Sequence, residues 1–594
     1  MPLRHRIPSL LAILAASTAS AQTLAPLPPA LPWSGASERL IVPAGDPWST
    51  PAERSGFSTT PPYAEVRAWL ARLSAASPLL SLETFGRTAE GRDLLLVRAR
   101  KSGSTGGGKP VVLVQAGIHA GEIDGKDAGL MLLRDIALRG KDDLLDRVDL
   151  VFVPILNVDG HERASPWHRP HQRGPREKGS RATARNVNLN RDYAKLDAPE
   201  TRAVVALLRR FDPALYIDLH VSDGFDHQYD VTFTYAGWGR YARHRATADW
   251  LEGRFDPAVT RALAAAGHVP GVYPSAIDAR DPTKGIRFSP EGPRYSTGYG
   301  DFAGVPTVLV ENHSLKPYRQ RVLGTYVLLE EALRLVGRES LRIAAAKAQD
   351  RAARPTTLMT RWTPAAQPIG WLDFKGVAYE TYRSPASGRP EQRWLARPHR
   401  FRMPIIGQTA TETVTLPTAW WVPPGYPEVI ERLELHGIRF ETMAEPRTLV
   451  LDQVRLVAPT LLRPSEGRVP VETGLAHERV QRTLPAGSVR VPADQPLILL
   501  AAALLEPESQ ESLLAWGFFP EILSSPPTSE AFVVAPMADR MLATDPALRA
   551  EFEAKLAADP AFAADGDARL AWFYERSPYR DPYNLRYPIA RELP

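Results

Sequence analysis

The chain has 594 residues, of which 44% are hydrophobic and 23% are charged, so its composition is that of a folded globular protein and excludes a largely disordered one. This length exceeds what one hydrophobic core usually supports, which predicts two domains. The 72 Lys and Arg residues nearly balance the 67 Asp and Glu residues, and no long basic run is present, so nucleic acid is not an expected partner. Without any Cys, the chain has neither disulfides nor thiolate zinc ligands.

The first residues resemble a secretory signal peptide. Residues 4–6 are positively charged, residues 7–18 are apolar, and an A-x-A cleavage site at 19–21 precedes Gln22. The apolar run is shorter than the roughly 20 residues that span a bilayer, and no later run is long enough, so the mature chain is predicted to have no membrane span. We therefore expect residues 1–21 to be removed on export to the periplasm or the medium, most simply of a bacterium, and residues 22–58 to form a Pro-rich leader.

Between residues 59 and 340, predicted strands and helices alternate, which indicates an α/β domain with a mainly parallel sheet. A long polar stretch at 161–186 separates two of these elements and is predicted to be a functional loop. Strands are expected at 79–85, 94–99, from 111, at 148–156, 215–220 and 307–311, and helices at 62–76, 126–138, 199–211 and 322–336.

A candidate metal site begins where the strand from residue 111 ends in His119-Ala-Gly-Glu122. An isolated H-x-x-E sequence is weak evidence, but a second apolar strand delivers His220 at its carboxyl end. Ligands of open α/β sheets collect at the carboxyl ends of the strands, so these three side chains can converge. Two His and one carboxylate leave a coordination position free, which is typical of a catalytic zinc site.

With these residues in place, the chain from about 60 to 340 resembles the zinc carboxypeptidases of the carboxypeptidase A-like family. The resemblance implies a three-layer α/β domain with a mixed, mainly parallel sheet. Several separate motifs occur in the family's order: the zinc triad, the pair that binds the substrate's terminal carboxylate, and the catalytic glutamate. The matching residues are, respectively, His119, Glu122 and His220; Asn190 and Arg191; and Glu311.

The resemblance also implies roles that are harder to assign. Arg181 is our choice for the arginine that stabilises the oxyanion, with Arg173 as the alternative. The tyrosine that covers bound substrate is expected to be Tyr295 or Tyr299, and we choose Tyr295. Where the family often has an Asp that orients a zinc-bound His, this chain has Asn188.

Residues 355–594 have a different character, with strand-like segments at 412–416 and 447–457, a helix at 428–436 and a helical stretch at 545–573. We predict a C-terminal region that is β-rich with helices, and its role cannot be assigned because it contains no catalytic constellation. His313 and Lys316 also match no family role and are expected on the surface.

The leading hypothesis is an exported metallocarboxypeptidase that holds one zinc ion per chain and hydrolyses C-terminal peptide bonds through a zinc-activated water, with Glu311 as general base. One alternative within the same chemistry is a wall-peptide amidase or an N-acyl amino acid deacylase. Another is a peptide-binding protein without catalytic activity. In each case Asn190 and Arg191 favour a peptide-like ligand with a free carboxylate.

Overall fold

The structure is a computed structural model that describes residues 27–101, 108–235, 239–524, 530–581 and 583–594. The predicted signal peptide at 1–21 lies outside these residues. Within the described ranges, no helix combines the length and the apolar character needed to cross a membrane.

Residues 27–352 form the N-terminal region, which is built around one sheet. The strands of this region are β1 (Leu80–Arg87), β2 (Asp93–Ala99), β3 (Val111–Ala116), β4 (Asp149–Val153), β5 (Leu215–Ser222), β6 (Val231–Tyr235), β7 (Pro270–Val272), β8 (Ile286–Arg287) and β9 (Thr307–His313). All of them except β8 belong to this sheet. Its helices are α1 (Pro51–Arg54), α2 (Tyr63–Ala76), α3 (Asp124–Leu138), α4 (Val158–His161), α5 (Pro199–Phe211), α6 (Arg245–Trp250), α7 (Asp256–Ala265), α8 (Ser296–Ala303) and α9 (Tyr318–Ala352).

The sheet has eight strands in the order β1-β2-β4-β3-β5-β9-β6-β7. Strands β4, β3, β5 and β9 are parallel to one another, whereas β1, β2 and β6 introduce antiparallel pairs. The predicted mixed, mainly parallel sheet is therefore confirmed.

Helices cover both faces of this sheet because its central strands are apolar on both sides. Val112 and Val114 of β3 enter the core formed with α3 and α9, whereas Leu113 between them enters the core on the opposite face, which contains residues of α5 and α8. Successive side chains of a strand point to opposite faces, so a continuous apolar run produces a three-layer arrangement.

The last helix of the N-terminal region is longer than predicted, since α9 runs over Tyr318–Ala352 where the sequence indicated 322–336. Its C-terminal turns bury polar side chains that are paired: Lys347 donates to the carbonyl oxygen of Pro213 (2.7 Å), and Asp350 accepts from the backbone of Thr247 (2.8 Å). Paired polar residues hide the apolar periodicity on which the prediction relied. Residue 340, predicted to end the domain, lies inside this helix.

The C-terminal region is β-rich with a helical end, as predicted. Its strands are β10 (Thr357–Pro364), β11 (Gly370–Arg383), β12 (Pro390–Ile406), β13 (Gln408–Thr415), β14 (Ala419–Val422), β15 (Glu441–Thr442), β16 (Arg447–Leu461), β17 (Val471–Leu484), β18 (Val489–Pro492) and β19 (Ala590–Glu592). Its helices are α10 (Pro427–His436), α11 (Ile498–Leu505), α12 (Ala531–Thr544), α13 (Pro546–Ala558), α14 (Pro560–Ala564) and α15 (Gly566–Tyr574).

The two regions share a hydrophobic core. Tyr299 and Phe302 of α8 belong to the same buried cluster as Trp420 of β14 and the apolar helix α11. A strand contact adds to this packing, because Ile405 and Ile406 of β12 pair with β8. The division of the chain into two domains stays a prediction, but the C-terminal region packs directly on the elements that surround the site described next.

Candidate active site

The three predicted metal ligands come from the carboxyl ends of two neighbouring parallel strands. Ala116, the last residue of β3, pairs with Leu219 of β5, so His119 and His220 emerge at the same edge of the sheet. Gly117 makes the turn after β3 possible, since its φ of +68° is unfavourable for residues with a Cβ atom. The backbone amide of Glu122 then donates to the carbonyl oxygen of His119 (2.9 Å), which directs both side chains to one point.

His119, Glu122 and His220 form a buried cluster whose ligand atoms lie within 4.8 Å of one another. The carboxylate oxygens of Glu122 are 3.0 Å from Nδ1 of His119 and 3.0 Å from Nδ1 of His220. The two Nδ1 atoms are 3.2 Å apart. Each of the three residues is at most 3% exposed.

Nε2 of His119 and Nε2 of His220 each lie beside a hydrogen-bond acceptor. These contacts orient the two rings, so they show whether the cluster suits a cation. Nε2 of His119 lies 2.9 Å from the side-chain oxygen of Asn188, and Nε2 of His220 lies 2.7 Å from Asp218. With the ring protons assigned to these bonds, both Nδ1 lone pairs point toward the Glu122 carboxylate. Two imidazole nitrogens and one carboxylate oxygen are a donor set that fits zinc.

Burial and charged neighbours shift the pKa values of the three cluster residues in different directions. Burial lowers the pKa of His119, which favours the neutral imidazole. Burial alone would raise the pKa of Glu122, but Arg169 and His119 together hold it well below its usual range. Burial alone would lower the pKa of His220, yet the carboxylate of Asp218 raises it well above the usual range.

Arg169, from the long loop after α4, is the principal counter-charge of the cluster. Its guanidinium lies 2.8 Å from Glu122 and also donates to the carbonyl oxygen of Val221 (2.9 Å) and to Gln172 (2.6 Å). The loop thus fastens the Glu122 side of the site to the strand that carries His220. Sequence reasoning missed Arg169, because nothing local distinguishes it from the other arginines of this loop.

A cleft of about 390 Å³ opens above the cluster. Glu311 of β9 lines it, because His220 pairs directly with Glu311 across the parallel strands β5 and β9. Burial raises the pKa of Glu311 to about 8, an effect that Glu122 strengthens and His220 opposes. One carboxylate oxygen of Glu311 is buried and has no hydrogen-bond partner among the described residues, so it is available to accept a proton.

Comparison with known proteins agrees with this geometry. Residues 66–232 match the model of the zinc carboxypeptidase family. This segment contains the three candidate metal ligands, Asn190 and Arg191, but it ends before Glu311. Residues 66–232 thus match a zinc carboxypeptidase domain. Carboxypeptidase 2 of Trichophyton equinum is 23% identical over 425 residues, which cover 69% of this chain and 74% of that protein. Carboxypeptidase B of Astacus astacus is 29% identical over 135 residues, which cover 22% of this chain and 44% of that protein.

Solved carboxypeptidase structures give weaker overall matches. The metallo-carboxypeptidase from Burkholderia cenocepacia is 18% identical with a TM-score of 0.34, covering 47% of this chain and 70% of that one. Carboxypeptidase A from Helicoverpa armigera is 17% identical with a TM-score of 0.37, covering 53% of this chain and 80% of that one.

Asn190 and Arg191 lie in a short turn that lines the cleft. The side-chain oxygen of Asn190 accepts from the backbone of Ser296 (2.9 Å), and the Arg191 guanidinium lies 4.6 Å from the ring centre of Tyr295. Among the described residues, no carboxylate oxygen is within 4.0 Å of the Arg191 guanidinium. Burial lowers the pKa of this guanidinium. This desolvated, planar cation is placed to bind a carboxylate from outside.

The structure separates the two arginines proposed for the oxyanion. Arg181 lines the cleft, with its guanidinium 3.3 Å from Nδ1 of His119 and 3.4 Å from Glu122. Arg173 instead donates to the carbonyl oxygen of Leu315 (2.8 Å) and is not among the cleft-lining residues. Arg181 is therefore the better placed candidate, and its role stays a prediction.

Of the two predicted tyrosines, only Tyr295 lines the cleft. Tyr299 is buried at 2% exposure and its hydroxyl lies 3.2 Å from His436 of α10. A third tyrosine that sequence reasoning missed, Tyr273 after β7, also lines the cleft, and the nearby Glu311 raises its pKa. No residue pattern around Tyr273 marked it in the sequence.

The expectation that His313 and Lys316 lie on the surface is wrong. Both are buried against Asp226, whose carboxylate is 3.0 Å from Nε2 of His313 and 3.2 Å from Nζ of Lys316. His313 also stacks on His227, with ring centres 3.9 Å apart. Their burial depends on a partner 87 and 90 residues away in sequence, respectively, which local patterns do not reveal.

Asp218 is predicted to strengthen metal binding by holding His220. In Asp218→Asn, the acceptor loses its charge, so we expect zinc affinity to fall by about 10- to 100-fold. Zinc content measured after dialysis against graded chelator concentrations tests this directly. Asp373→Asn, an exposed residue of β11 outside the cleft, is the control and should match wild type. Equal zinc retention in all three proteins would contradict the assignment.

Proposed function

We propose that this protein is an exported metallocarboxypeptidase that hydrolyses the last peptide bond of peptides with a free C-terminal carboxylate. The observation that carries the proposal is the meeting, in one cleft, of the metal-binding cluster, the unpartnered carboxylate of Glu311 and the unpaired guanidinium of Arg191. Export is supported by the signal-like residues 1–21, which favour the periplasm or the medium as the place of action.

The metal cluster, Glu311 and Arg181 each have a role in this reaction. A zinc ion held by the cluster supplies Lewis-acid chemistry, polarising a carbonyl group and lowering the pKa of water. Glu311 accepts the proton of the attacking water and delivers it to the leaving amine. The guanidinium of Arg181 faces the oxygen that becomes negatively charged.

Substrate orientation is assigned to the turn opposite Glu311. Arg191 and Asn190 bind the terminal carboxylate, which sets which peptide bond reaches the metal cluster. Tyr295, stacked on Arg191, narrows the cleft beside this carboxylate. The Arg181 and Arg191 guanidiniums thus serve different negative charges, one that forms during the reaction and one present throughout.

Glu311→Gln tests the general base. The amide cannot take a proton, so kcat for release of C-terminal residues from a mixed peptide panel is expected to fall by about 10²- to 10⁴-fold while zinc content stays at one per chain. The surface variant Glu445→Gln serves as control. Undiminished turnover by Glu311→Gln would exclude this role, and zinc-loaded wild type that releases no residue would favour a wall-peptide, N-acyl or purely binding function.

Arg191→Met tests recognition of the carboxylate. Wild type should hydrolyse a peptide acid faster than the same peptide with a C-terminal carboxamide, and the variant should lower kcat/KM for the acid by about 10- to 100-fold, narrowing that difference. The exposed Arg185 of the preceding loop provides a matched control as Arg185→Met. A wild-type enzyme that treats acid and amide alike would rule out carboxylate recognition by Arg191.

A further inference from the structure

The hairpin of β16 and β17 in the C-terminal region ends close to the active site. Ser465 and Arg468 exchange two backbone hydrogen bonds (2.8 and 3.0 Å) around a two-residue turn. Glu466 and Gly467, the two turn residues, both have positive φ angles, of 50° and 82°. Such a turn matches the twist of the flanking strands and gives the tip a defined shape.

Arg468 anchors this tip to the N-terminal region. Its guanidinium donates two hydrogen bonds to Asp197, at 2.7 and 2.8 Å, and lies 3.5 Å from the ring centre of Phe518. Although burial alone would raise the pKa of Asp197, Arg468 and other cations lower it to about 2. The paired fork is a specific and directional contact, so the tip has a fixed place beside the turn at residues 188–191.

Glu466 uses this position to contact the substrate-binding turn. Its carboxylate accepts from the backbone amide of Asn188 at 2.8 Å. The side-chain oxygen of Asn188 in turn accepts from the backbone of Asn190 (2.9 Å) and faces Nε2 of His119 (2.9 Å). The charge of Glu466 also acts on Arg191, where it opposes the effect of burial on the pKa.

We propose that Glu466 is a positioning residue of the active site, supplied by the C-terminal region, which fixes the turn that carries Asn190 and Arg191. The C-terminal region then contributes directly to substrate binding. The expected effect of Glu466 on substrate binding rests on the proposed carboxypeptidase function, whereas its effect on the order of the turn does not.

Two variants separate the hydrogen bond of Glu466 from its charge. Glu466→Ala removes both, so KM for peptide acids should rise about tenfold with a much smaller change in kcat, and hydrogen exchange of the backbone at 186–192 should accelerate. Glu466→Gln keeps an acceptor, so this exchange should stay near that of wild type. Glu472→Gln, an exposed glutamate on β17, is the control.

The readouts decide between the possible outcomes. Exchange at 186–192 and KM that remain within twofold of wild type in Glu466→Ala would overturn the proposal. If the wild-type protein releases no C-terminal residue, the proposed function fails, and the exchange measurement alone still decides whether Glu466 holds the turn.

Discussion

The parallel pairing of β3, β5 and β9 is the constraint on which the rest of the site depends. Parallel strands end at a common edge, and the register pairs Ala116 with Leu219 and His220 with Glu311. Because the strands are buried on both faces, a shift in register would move their side chains to the opposite face and disrupt the packing of two cores at once. The hydrophobic effect that holds the sheet thereby also sets the distances among the candidate metal ligands and the candidate base.

Charge balance within the cleft distinguishes groups with structural partners from groups left for ligands. Glu122 has Arg169, and His220 has Asp218, so these side chains are held in place. Arg191 has no ion-pair partner among the residues that the structure describes. Leaving a charge partly desolvated and unpaired is unfavourable for folding, which is why such groups are strong candidates for contact with substrate.

The C-terminal region takes part in this arrangement and is not a separate appendage. It shares a hydrophobic core with α8, pairs β12 with β8 at the border of the cleft, and places Glu466 against Asn188. These contacts come from three separate segments of the region, so the cleft walls are supported on several sides.

The sequence by itself determined the α/β class, the order of the main elements, and the candidate ligand trio His119, Glu122 and His220, because strand periodicity and ligand spacing are local signals. It also contained a clue to Asp218 that was not used, an acid two residues before His220 on the same strand face. Only the tertiary structure decided between Arg181 and Arg173 as the arginine near the metal cluster, and between Tyr295 and Tyr299 in the cleft.

The tertiary structure also revealed the burial of His313 and the contacts of Arg169 and Glu466. Each of these depends on which distant segments the fold brings together, and a long side chain such as Arg reaches partners on any neighbouring loop. Sequence spacing records the period of an element, whereas the position of one loop against another follows from the packing of the whole chain.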